Sequence, residues 1–298
     1  MLMSQQPPES RTTPRLLVFG ATSVVGNYLL PRLASTRWPV TAVSRQPAAA
    51  LGQGHAHVDW QLGSLPDSCP APDPAVTHML SLGPCDAFVA WLARQSAIPA
   101  LRQVIAFGST SAQTKLDSSS APERDLARRL GASEAALARE CARLGVRWTL
   151  LRPTLIYGGD HDLIARIGAF AARWHLYPRL LGSAGRGRRQ PVHADDLAGA
   201  VIAAIDCEAA FDQRIDLPGG EELSLMQLIA RAARARTPMV LPIPIPFMLG
   251  ARLAAKWHWI SGSSGLSMDA GARISRDQVF DLGPAVQTLG FAPRPFEP

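Results

Sequence analysis

The chain has 298 residues and a formal charge of +6, with 47% hydrophobic and 18% charged residues, which excludes a charge-extended disordered polymer. A chain of ~300 residues buries roughly three-quarters of its unfolded surface, so neither a disulfide framework nor a structural metal is needed for stability. Mean hydropathy of +0.05, with no apolar run approaching ~20 residues, argues against a membrane-spanning segment.

Residues 1–14, MLMSQQPPESRTTP, are polar and proline-rich and carry no basic-then-apolar leader pattern, so a disordered arm is expected there. The apolar run at 15–19 predicts a strand that enters a glycine turn and then a helix-compatible stretch, where Pro31 should kink the helix or need local compensation. Short apolar segments at 39–44, 55–60, 77–83 and 102–109 read as further strands. Between 123 and 144, Leu126, Leu130, Leu137, Cys141 and Leu144 share one helical stripe, and Gly145 supplies a stop before the strand WTLLRP. Helices are expected at 162–174, 195–206 and 224–236, a strand at 214–217, and a last helix after the proline-rich span 238–247. Strands alternating with helices predict an α/β fold with a doubly wound parallel sheet.

The four cysteines, Cys69, Cys85, Cys141 and Cys207, are scattered without metal-ligand spacing. They read as incidental thiols of a reduced cytoplasmic protein, and no metal site is expected. Of the 30 basic residues only Lys115 and Lys256 are lysines, and the one compact basic cluster is Gly185–Arg189.

A strand, glycine turn and helix in succession present backbone N–H groups and a positive helix end to a pyrophosphate. The turn here is Gly20-Ala21-Thr22-Ser23-Val24-Val25-Gly26, with Ser23 where the G-x-x-G-x-x-G pattern has its middle glycine. In register with it, AFGSTS at 106–111, LRPTLIYGG at 151–159, QPVHADDLAGAV at 190–201 and LGFAPRPF near the end match further motifs. With these segments the chain resembles the extended and atypical short-chain dehydrogenase/reductases, the group that includes nucleotide-sugar epimerases and dehydratases. The resemblance covers roughly residues 15–297. It implies a Rossmann-type dinucleotide-binding domain at 15–160 and a smaller C-terminal substrate lobe at 161–298, with 190–217 returning to the sheet. Cofactor contacts fall on Gly20, Thr22, Ser23, Val24, Val25, Gly26, Ser44, Arg45, Ser109 and Pro153. Arg45, where NAD-binding members carry an acid, favours NADP over NAD, since a guanidinium suits a 2′-phosphate; it also reads as a solvated loop residue.

The family's proton chemistry rests on a Tyr-x-x-x-Lys pair. Here Leu130 and Glu134 occupy those two positions, and no Tyr-x-x-x-Lys occurs anywhere in the chain. They read most simply as helix residues, Leu130 inward and Glu134 outward. A positioned general acid/base contributes ~10²–10⁴-fold to a rate, so its loss matters. Thr110 fits the role of orienting a substrate oxygen, and His161 is a candidate substitute acid.

His193 precedes Asp195 and Asp196, where an Asp is expected to cap the next helix while the His packs; a ligand or base role stays open. His55 and His57 share a strand face and read as surface. Arg186, Arg188 and Arg189 would meet the pyrophosphate of a nucleotide sugar, or form a basic surface loop; nucleic-acid contact is weaker, as no stacking aromatics accompany them. Trp257 and Trp259 would line the substrate cleft, cover the sheet, or touch a membrane surface.

Three functions follow. One is a binding or regulatory protein with a degenerate site that holds NADP(H) or a nucleotide sugar. The second is an active epimerase, dehydratase or reductase using Thr110 with His161 or water. The third is a membrane-peripheral scaffold or assembly factor. The expected partner is a phosphate-bearing small molecule and not a nucleic acid, and a homodimer is compatible with each reading.

Overall fold

The computed structural model describes residues 13–46, 57–118, 120–181, 185–245 and 276–298. The first half alternates β1 (Leu16–Phe19), α1 (Val24–Ala34), β2 (Val40–Ser44), β3 (Val58–Leu62), β4 (His78–Ser81), α2 (Cys85–Leu92), β5 (Gln103–Phe107), α3 (Ser111–Thr114), α4 (Ala121–Leu144) and β6 (Arg147–Pro153). The second half adds β7 (Ile156–Tyr157), α5 (Leu163–Trp174), β8 (Leu176–Leu180), β9 (Arg188–Arg189), β10 (Val192–His193), α6 (Ala194–Ala204) and β11 (Gln213–Leu217). It closes with β12 (Leu223–Ser224), α7 (Leu225–Arg236), β13 (Leu241–Ile245) and α8 (Gly283–Leu289).

Seven strands form one parallel sheet in the order β11-β6-β5-β4-β1-β2-β3. Its inner strands β1, β4 and β5 are buried along their whole length, as continuous apolar runs require when helices cover both faces. Alternation along β1 divides its side chains between two cores. Leu16 and Val18 pack with Leu29, Leu30 and Leu33 of α1 and with α6. Leu17 and Phe19 pack with Phe88 and Trp91 of α2 and with Leu137 and Cys141 of α4. A third core, including Ile164, Tyr177, Leu228 and Phe296, holds the C-terminal lobe. Strand β11 reaches the sheet beside β6, and α6 packs its buried face into the α1 core.

Several local details differ from the sequence reading. Helix α1 runs on through Pro31, which is exposed there. The β3 strand starts at Val58; His57 precedes it, exposed, with Nε2 3.1 Å from the Leu30 carbonyl oxygen. On α4 the buried arc runs through Ala127, Ser133, Glu134, Leu137 and Cys141, while Leu126, Leu130 and Leu144 are only half-buried. The expected inward Leu130 and outward Glu134 are therefore corrected: Glu134 is 4% exposed. Its carboxylate turns inward because arginines lie beneath it, as detailed below.

Helix α4 ends as expected at Gly145, whose φ of +69° gives the left-handed cap. The tail closes the molecule: Phe291 and Phe296 are buried, and Arg294 Nη2 lies 2.6 Å from Asp195 and 2.7 Å from Asp196 at the start of α6. Residues 1–12, His55, Trp257, Trp259 and the helix expected after 247 lie outside the described residues. Among the described residues, no helix is long and apolar enough to cross a membrane.

Candidate active site

The glycine turn leaves β1 at the point where the strand order reverses between β1 and β4, where open α/β sheets bind their ligands. Gly20 has φ +76°, and a Cβ there would lie 3.1 Å from the Gly83 backbone nitrogen at the end of β4. Gly26 is more constrained, since a Cβ would sit 2.1 Å from the Ala21 carbonyl oxygen. Ser23, in place of the middle glycine, is the N-cap of α1: its Oγ accepts from the Gly26 N–H at 3.1 Å. That cap uses one of the four N–H groups that a helix start leaves without an intrahelical partner. The N–H groups of Val24 and Val25 precede it in the first turn, where the helix dipole favours an anion. Thr22 is exposed at the mouth of the turn, and Val24 carries Gly159 against it, a Cβ on which would come within 2.7 Å of the valine Cγ2.

At the end of β2, Ser44 is buried; its Oγ donates to the Gln46 carbonyl at 2.6 Å and accepts from the Gln46 N–H at 3.1 Å. This turn leaves Arg45 exposed beside it.

The opposite end of the site is built from the ends of β5 and β6 and the face of α4. Ser109 Oγ accepts from the Ser111 N–H at 3.2 Å. Thr110 is buried, and its hydroxyl donates to the Pro153 carbonyl at 3.3 Å, which ties the two strand ends together. Leu130 lies half-buried on the α4 face. One turn further on, Glu134 reaches under β5, so close that a Cβ on Gly108 would sit 2.6 Å from its Oε1. Its Oε2 lies 3.7 Å from Arg152 and 3.8 Å from Arg214.

Arg152, 8% exposed, is the hub of this cluster. Its Nε donates to Asp216 Oδ1 at 2.7 Å, and Gln113, with its amide oxygen turned inward, accepts from both terminal nitrogens at 3.0 and 2.9 Å. Two carboxylates and two guanidinium groups thus balance in charge across α4, β6 and β11. Burial pushes the Glu134 carboxyl above the ordinary carboxylate range, and Arg152 opposes that rise. Glu134 Oε1 is itself buried, and the Ser109 backbone favours its charged form. The sequence reading passed over Arg152, Asp216 and Gln113. The signal lay in LRP and RIDL, where a charged residue interrupts an apolar strand and needs a partner if buried.

The remaining candidates are dispersed. His161 is exposed in the loop before α5. In the basic loop Arg186 is exposed, Arg188 pairs with Glu222 at 2.8 Å, and Arg189 is buried, donating at 2.7 Å to the carbonyls of Arg188 and Arg276. His193 corrects the capping expectation: its own Nδ1 caps α6 by accepting from the Asp195 N–H at 3.1 Å, while Asp195 and Asp196 serve Arg294. Burial holds the His193 imidazole below its ordinary pKa, and its ring packs edge-on between Tyr28 and Tyr157.

A glycine turn at the switch point of a seven-stranded parallel sheet, with an added C-terminal lobe, defines a Rossmann-type α/β fold. Neither a protein-family model nor a curated protein matches the sequence. Solved structures do match in fold. UDP-glucose 4-epimerase from Thermotoga maritima, solved with UDP-glucose, superposes with a TM-score of 0.65 at 14% identity, covering 94% of each chain. UDP-glucuronic acid 4-epimerase from Bacillus cereus, solved with UDP-glucuronic acid and NAD, gives 0.64 at 12% identity and 95% coverage of each chain. An epimerase from Methanothermobacter thermautotrophicus gives 0.66 at 12% identity, covering 95% of this chain and 88% of that one. The chain shares the Rossmann-type fold of these nucleotide-sugar epimerase structures over about 94% of its length.

Proposed function

We propose that this chain binds a nicotinamide dinucleotide, NADP(H) ahead of NAD(H), and holds it without the tyrosine–lysine proton relay of related enzymes. The observation that carries the reading is the contrast between a glycine turn that keeps Gly20 and Gly26, with Ser23 between them, and the Glu134–Arg152–Asp216 cluster at the relay position. The residues of the turn fit the group: Gly20 holds a left-handed φ and a Cβ at Gly26 would collide with the Ala21 backbone, as expected of a tight loop that leads into a helix start. Gly20 to Gly26 would hold the pyrophosphate, Arg45 the adenosine 2′-phosphate, and Ser109, Thr110 and Pro153 would border the nicotinamide. A bound nicotinamide supplies a hydride donor or acceptor at its ring.

Among the described residues, neither candidate group is placed to move the accompanying proton. Thr110 offers a hydroxyl already committed as a donor to Pro153, and His161 stands exposed in a separate loop. A nucleotide sugar is the second ligand we assign, in the cleft between the two lobes near Arg186. Arg188 and Arg189 contribute less to it than the sequence pattern implies, because both already serve protein partners.

Calorimetric titration with NADPH and NADH, followed by single-turnover mixing of bound NADP+ with a panel of UDP- and dTDP-sugars and of bound NADPH with the corresponding 4-keto sugars, tests the reading. Binding without hydride transfer is the expected result. Turnover of any sugar at an ordinary enzymatic rate would overturn it.

A further inference from the structure

The C-terminal lobe carries an apolar and cationic face that the dinucleotide site does not use. Seven of the eleven exposed large hydrophobics among the described residues fall between 163 and 243, so the exposure is concentrated in one lobe. On α5, Leu163, Phe170 and Trp174 are spaced i, i+7, i+11 and form one outer stripe, offset from the buried arc of Ile164, Gly168 and Ala171. Trp174 is 58% exposed.

Just beyond it the two-stranded parallel sheet of β8 and β13 begins, and the two elements meet directly. The Leu241 N–H donates to the His175 carbonyl at 2.9 Å, and His175 Nδ1 lies 3.3 Å from the Met239 carbonyl oxygen. Trp174, Met239 and Leu241 therefore gather around one point, with Met239 84% and Leu241 69% exposed. In the sheet Tyr177 turns into the lobe core, so Leu241 and Ile243, which alternate with its partner Pro242, belong to the opposite, outer face.

Helices α5 and α7 and strands β8 and β13 contain no Asp or Glu. Arg166 and Arg173 lie exposed along one edge of the stripe on α5, while Arg234 stacks over Tyr177 and Arg236 packs on Gly168 beside Asp160, Asp162 and Glu297, on the other side of the lobe. The nearest acid in sequence on the described α5 side is Asp162, the N-cap, whose oxygens already accept from the N–H groups of Gly158, Gly159 and Ala165. Arg173 also stacks its guanidinium 5.6 Å from the Trp174 ring centroid, which keeps cation and aromatic side by side at the surface.

An apolar stripe with a tryptophan, with Arg166 and Arg173 along its edge, matches the headgroup boundary of an anionic bilayer. There the apolar side chains enter the acyl edge and each cation gains about 1 kcal/mol near anionic lipid. A soluble protein partner of mixed charge would meet no complementary acid-recognising pattern beyond the same cations. A second copy of this chain would set arginine against arginine. From this complementarity we propose that the face formed by α5, β8 and β13 docks peripherally on an anionic lipid surface, without crossing it.

The test floats the full chain with vesicles of phosphatidylcholine alone and with vesicles holding about 30% phosphatidylglycerol, at low salt and at about 0.5 M salt. The expected result is flotation with the anionic vesicles only, released by salt. Phe170→Glu with Trp174→Glu, and separately Arg166→Glu with Arg173→Glu, should each lower the bound fraction about tenfold or more while thermal unfolding is unchanged, since all four side chains lie on the surface. Three results would overturn the proposal: recovery of the wild type wholly in the soluble fraction, binding to both vesicle types alike, or variants that float as well as wild type. Light scattering on the same samples adds a fourth contrary result. A wild-type dimer that becomes a monomer in the Trp174→Glu variant, with no flotation of either, would give the face to a second copy.

Discussion

The glycine turn and the cluster around Arg152, the two ends of the proposed dinucleotide cleft, are built by different means. In the turn the backbone sets the shape: Gly20 sits at φ +76°, Gly26 has no room for a side chain, and Ser23 caps the helix between them. At the ends of β5 and β6 side chains set it, with Glu134, Arg214 and Asp216 gathered around Arg152. The proposed binding without turnover rests on that difference, because one end depends on a loop conformation and the other on a few side-chain identities.

The sharpest way to break the contrast is to write the family's lysine back in. Glu134→Lys places an ammonium beside Arg152 and Arg214 in a buried position, where an unpaired charge costs about 3–5 kcal/mol. Chemical denaturation should show a loss of that order, and adding Leu130→Tyr should not produce activity. An active, fully stable Leu130→Tyr/Glu134→Lys variant would mean that the arginine cluster is no obstacle. At the phosphate end, Gly26→Ala should cost about 1–3 kcal/mol by overpacking against the Ala21 backbone and reduce dinucleotide affinity at least tenfold. Denaturant melts read the first effect and calorimetry the second.

Smaller effects sharpen the comparison. Arg45→Ala should lower the NADPH-over-NADH preference about tenfold while leaving NADH binding alone, in line with about 1.5–3 kcal/mol for a hydrogen bond to a charged group; competition titrations measure it. The weakest effect concerns pH. Burial holds the imidazoles of His78 and His193 below their ordinary value. The unfolded chain then binds more protons between the folded values and ~6.5, so stability is complete above that range and falls as pH drops through it. Melting temperatures from pH 7.5 to 5.5 should decline, and His78→Gln should flatten the slope. An equal slope in that variant would assign the decline elsewhere.

Most of the sheet was legible because its strands at 16–19, 40–44, 78–81, 103–107 and 147–153 are bounded apolar runs, and α4 because it has a stop at Gly145; β3, which starts at Val58 and is mostly not buried, and the short α3 were less so. The phosphate turn was legible as well, since glycine spacing encodes a backbone shape directly. The relay position was half legible. That the resemblance sets Leu130 and Glu134 at the tyrosine and lysine positions can be read from the sequence, but the direction in which Glu134 points cannot. Its burial is set by Arg152 on β6 and Asp216 on β11, which the fold brings together from 18 and 82 residues away along the chain. Helical periodicity, which scores a glutamate as a surface residue, could not carry that information. His193 illustrates the same limit, as its capping role depends on a ring orientation fixed by Tyr28 and Tyr157.

The central claim is tested most directly by calorimetric titration of NADPH into the wild type and the Gly26→Ala variant side by side. One site per chain in the wild type, weakened at least tenfold in the variant, is the predicted result. A folded wild type that takes up neither NADPH nor NADH would contradict the account, because the glycine turn would then be a tight connection between strand and helix and nothing more.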